Sequence, residues 1–161
     1  MNNVSLTLDS LVLFCLHGDL VKDDLTSLSM NQWNELEFKL KHSSFKKPSG
    51  LLDIEGHDLE SELALSSQDV ERVKLLLGRM PQVLLMLSQL EKQGISVITK
   101  YESHYPRTFF HRLKKNAPLI LYYCGDFHLL EDDCISITGP LNASRTMLMN
   151  TRQVVDKLID E

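Results

Sequence analysis

Gly94-Ile95-Ser96-Val97-Ile98-Thr99 decides how this chain is read, because helical periodicity stops there and strand alternation begins. Two further runs have the same character, Leu119-Ile120-Leu121-Tyr122-Tyr123 and Cys134-Ile135-Ser136-Ile137-Thr138, each bounded by Gly, Pro or charged residues. Tyr105-Pro106 lies between the first two, followed by a short helical stretch with Phe109, Phe110 and Leu113. Beyond the third run, Gly139 leads into a helix predicted over 144–160, with Met147, Leu148, Val154, Val155 and Leu158 on its inner side. A strand, a Gly turn and a long helix open a βα unit of a doubly wound sheet.

Upstream of Gly94 the pattern is helical throughout. Leu8, Leu11, Val12, Cys15 and Leu16 are spaced for one face of a helix over 6–20, with Gly18 near its end. Ser29-Met30-Asn31-Gln32 is a capping box, in which the Ser hydroxyl and the Gln amide satisfy backbone donors of the first turn, and Trp33, Leu36 and Leu40 follow on one face. Residues 42–50 read as a loop in basic surroundings, and short helical turns are expected at Leu51-Leu52 and over 59–65. Ser67 is expected to cap a helix that ends near Gly78 and Pro81, and 83–93 forms one more, closed by a left-handed Gly94. The expected organisation is a helical N-terminal domain over 1–93, then a partial α/β domain over 94–161.

The chain has 161 residues, 43% of them hydrophobic and 24% charged, which suits an ordinary globular core and excludes a disordered or disulfide-built chain. Its net charge of −5 excludes nucleic-acid binding by overall composition, so any DNA contact must be local. Cys15, Cys124 and Cys134 are odd in number, form no metal-ligand spacing and read as buried thiols in a reducing compartment. Met1-Asn2-Asn3-Val4-Ser5 lacks the positive charge of a signal peptide, and the apolar run 83–87 is too short to span a membrane. The expectation is a cytoplasmic protein with no membrane partner and no cofactor.

Two places carry candidate chemistry. In the turn after the third run, Gly139 lets an anion approach the backbone, Asn142 or Ser144 is placed to cap the next helix, and Arg145 offers a charge to a phosphate. One Gly is neither a dinucleotide fingerprint nor a phosphate loop, and a plain strand-to-helix turn accounts for these residues better. The stretch 101–120 sets Arg107, Arg112, Lys114 and Lys115 against Glu102 alone, among Tyr101, Tyr105, Phe109 and Phe110. Cations for the backbone and π-faces for the bases are what single-stranded nucleic acid requires, while a solvated helix face over a small aromatic core explains the same pattern. No nucleophile elbow or metalloprotease helix can be written, so no catalytic residues are assigned and the chain is read as a non-enzyme.

Taken in order, Gly94-Ile95-Ser96-Val97-Ile98-Thr99, Tyr105-Pro106, Leu113, Ala117-Pro118-Leu119-Ile120-Leu121-Tyr122, Gly125, Ile135-Ser136-Ile137-Thr138-Gly139 and Asn142-Ala143-Ser144 resemble the start of the DNA-processing protein A family, also called DprA or Smf. Leu25-Thr26, Trp33-Asn34 and Leu51-Leu52 resemble the front region of a divergent branch. The resemblance implies an extended Rossmann-like domain, here truncated after its first strand and helix, that binds single-stranded DNA and, in transformation, loads a recombinase. It also links the chain to nucleotide binding, DNA uptake, recombination and phage defence.

Two departures stand against the family pattern. Pro140-Leu141 replace the Ser-Arg that follows the turn Gly, which removes a backbone donor and the phosphate-facing Arg. The later strands that carry further binding residues in the family are not in the sequence, so recombinase contact is implied only in part. An unfinished sheet would leave an open edge, and the alternative reading is a protein-interaction module completed by a partner chain or by self-association. A nucleotide-hydrolysing enzyme is discouraged by the same departures.

Overall fold

The structure, a computed structural model, describes residues 6–53, 56–130 and 135–159. It is mixed α/β. Helices α1 (Leu8–Leu16), α2 (Met30–His42), α3 (Gly56–Leu63), α4 (Ser67–Leu77) and α5 (Met80–Lys92) precede strand β1 (Ser96–Thr99). Helix α6 (Arg107–Leu113), strand β2 (Ile120–Tyr123) and helix α7 (Arg145–Ile159) complete the order. Short 3-10 turns occupy Pro48–Leu52, Lys114–Asn116 and Phe127–Leu130.

Local chemistry sets the helix ends. Thr7 accepts from the Ser10 amide at the start of α1, and the Ser29–Gln32 capping box starts α2 as its sequence requires. The cap of α4 is Ser66, one residue earlier than expected, with its hydroxyl accepting from the Asp69 amide. Helix α5 begins at Met80, not at 83, because Pro81 is tolerated in a first turn whose amides lack helical partners anyway. Gly94, at φ +75°, ends it with the Ile95 amide donating back to the Leu90 carbonyl.

Helix α1 lies at the centre. Val12, Leu13, Phe14, Cys15 and Leu16 are all buried, so the single stripe expected from spacing is replaced by a helix covered on most sides, while Leu8 faces solvent. One side packs with Trp33, Leu36 and Leu40 of α2 and with α4; on the other, Phe14 and Cys15 meet Val83 of α5 and Val97 of β1. Leu119, just before β2, enters the first of these clusters. The helices and the hairpin therefore share a core, and the chain divides into compact units between Leu129 and Leu130, downstream of the change of pattern at Gly94.

Strands β1 and β2 pair antiparallel, Ser96 opposite Tyr123 and Thr99 opposite Ile120, forming a two-stranded sheet among the described residues. The expected third strand over 134–138 is a correction: residues 135–138 take no strand pairing, and Ile135 is 71% exposed. β-Branched alternation specifies a strand only when a neighbour satisfies its backbone groups, and this segment has none among the described residues. Cys134 itself lies outside the described residues. Helix α7 forms as expected, but its apolar residues do not face inward: Met147, Leu148, Val154 and Leu158 are exposed and Val155 is half-buried.

Candidate nucleic-acid interface

The basic segment is built between β1 and β2. Tyr105 is buried, and its hydroxyl donates to the Pro118 carbonyl, which ties the Tyr-Pro turn to the Pro that leads into β2. The Tyr105 ring lies 5.0 Å from that of Phe110 and 6.3 Å from that of Phe109, and this aromatic cluster supports the inner side of α6. The outer side carries Arg107, Arg112, Lys114 and Lys115, all exposed, together with His104 and His111. None of the four cations enters a salt bridge among the described residues.

Lys114 ends α6 at φ 51° and ψ −121°, a conformation that L-residues rarely adopt. The following turn closes with the Ala117 amide donating to the Lys114 carbonyl. The segment's single acid is turned inward. Glu102 is buried, accepting from the Thr7 and Thr99 amides and from the hydroxyls of Thr7, Ser10 and Thr99. The four basic residues are thus exposed with no carboxylate paired to them.

A second buried network fixes the root of this segment to α2. Lys100 Nζ lies 2.6 Å from Glu37 Oε1, the Tyr101 hydroxyl donates to the same oxygen at 2.8 Å, and Lys41 approaches Glu37 Oε2 at 3.5 Å. Burial raises the Glu37 carboxyl, but the hydrogen bond and charge of Lys100, with Tyr101 and Lys41, outweigh it and hold the carboxyl below its usual range. Burial likewise lowers Lys100, with Glu37 opposing, and pushes Tyr101 upward, with Glu37 adding to it. A third network clamps the 18–29 loop: buried Arg79 donates to both Asp23 oxygens, the Ser27 hydroxyl and the Leu25 carbonyl. Sequence spacing carried no sign of these networks, whose partners lie 50 to 95 residues apart.

The other candidate, the turn at Gly139, stands in the second unit. Gly139 has open space where a side chain would be, and Asn142, Ser144 and Arg145 are exposed. Of the two expected caps it is Ser144 that acts, its hydroxyl accepting from the Met147 amide at 3.3 Å. Its oxygen is therefore committed to the helix. Cys15 is buried, and desolvation, only partly opposed by Arg79, pushes its thiol up to about 11; Cys124, contrary to expectation, is exposed. No helix among the described residues is long and apolar enough to cross a membrane, and no group of three or more His, Cys, Asp or Glu among them could hold a metal.

These features define a mixed α/β protein in which a helical front and a small antiparallel hairpin carry an exposed cationic helix, followed by a turn and an amphipathic helix. Residues 96–161 match the model of the family described as DNA recombination-mediator protein A, which bears out the resemblance read from the Gly-Ile, Tyr-Pro and Pro-x-x-Leu elements. No curated protein and no solved structure matches the chain.

Proposed function

We propose that this chain is a non-catalytic, cytoplasmic DNA-processing module that contacts single-stranded DNA through Arg107, Arg112, Lys114 and Lys115, in the service of recombination or DNA uptake. The observation that carries the reading is the exposed set of four cations on and just after α6, inside the family-matched segment and unpaired among the described residues. In a protein of net charge −5, such a local concentration offers a polyanion a docking point that the whole surface does not. Gly139, Asn142, Ser144 and Arg145 form a secondary phosphate-facing turn in this reading, and a recombinase is the partner implied by family.

The test is a variant with Ser at positions 107, 112, 114 and 115. Binding of a labelled oligo(dT) at low salt should fall at least tenfold while the circular dichroism spectrum is retained. Unchanged affinity in a folded variant would remove α6 from the interface.

A further inference from the structure

We propose that the α6 face recognises the phosphodiester backbone alone, without stacking on bases, so that its ligand class is a nucleic-acid strand read through its phosphates and not through its sequence. This deepens the DNA-contact reading above and rests on it.

Base stacking requires aromatic faces free to receive a base, and the aromatic rings of this segment are already engaged within the protein. Tyr105 is 3% exposed, with its hydroxyl on Pro118, and Phe109 and Phe110 are half-buried against its ring. Tyr101 is held by Glu37, and the Tyr123 ring lies 4.6 Å from that of Phe127. Tyr122 is the more exposed ring, and it meets Phe14 of the core edge-on at 6.4 Å.

The cations show the opposite distribution. Arg107, Arg112, Lys114 and Lys115 stand exposed without a salt bridge among the described residues, and Glu102 is withdrawn into its own hydrogen bonds. Charges directed outward and rings directed inward suit contacts that position a strand but carry no base information.

The experiment compares the full chain's affinity for two labelled probes of about 20 nucleotides, oligo(dT) and an abasic deoxyribose-phosphate oligomer of equal length and charge. The expected result is affinities equal within about twofold and parallel salt dependences, because both probes offer the same phosphates. Each lost base stack would weaken the abasic probe roughly fivefold or more. Tight oligo(dT) binding with an abasic probe tenfold weaker would overturn this inference and leave the DNA-contact reading standing; no binding of either probe would overturn both.

Discussion

Lys100 holds its ammonium at the edge of the core with Glu37 as its partner, both side chains about 10% exposed, and its position shows what single residues contribute here. The Glu37 carboxyl is held below its usual 4.5, so its contribution to stability is fully present above that value and is lost as pH falls through the lower folded value. Removing the carboxylate strands a buried cation. Glu37→Ala should therefore cost about 3 kcal/mol in urea denaturation at neutral pH and flatten the loss of stability in acid; a cost below about 1 kcal/mol would show that the pair does not hold α2 to the hairpin. None of this could be read from sequence, since Glu37 looked like an ordinary surface charge on a helix and Lys100 like the end of a strand. By contrast Ser29–Gln32 and Gly94 were legible, because a cap and a left-handed turn are decided by residues only a few positions apart.

Among the elements, α6 and its exit are the most unusual. Lys114 occupies backbone space that suits glycine, at a cost of about 1–3 kcal/mol for such a residue. Lys114→Gly should raise the thermal midpoint, corresponding to a gain of about 1 kcal/mol, while weakening oligonucleotide binding through the lost charge. A variant no more stable than the parent would show that the turn is not strained. The existence of α6, β1, β2 and α7 was legible from short periodic runs, and so was the cationic stretch at Arg107, Arg112, Lys114 and Lys115. The strand expected over 134–138 was not realised, because alternation reports which face a residue would present and not whether a neighbouring strand exists. The aromatic residues interleaved with the cations misled for a related reason: sequence shows that Phe109 and Phe110 are near the charges but not that Tyr105 already engages them.

At the scale of the whole molecule, the boundary between helical and strand-like sequence is not the boundary between packed units. Val97 joins Phe14, Cys15 and Val83, while Leu119 joins the cluster around Trp33, so the hairpin is built onto the helices and holds α6 on their shared unit. A net-acidic chain that nonetheless displays four unpaired cations on one short helix and its exit turn should bind a polyanion weakly and with strong sensitivity to salt. The most direct test is the affinity of the full chain for a labelled oligo(dT) across a series of salt concentrations. Four phosphate contacts predict that the logarithm of the association constant falls with the logarithm of salt concentration at a slope of about −3. A slope near zero, or no binding at the lowest salt, would contradict the assignment of α6 as the DNA contact.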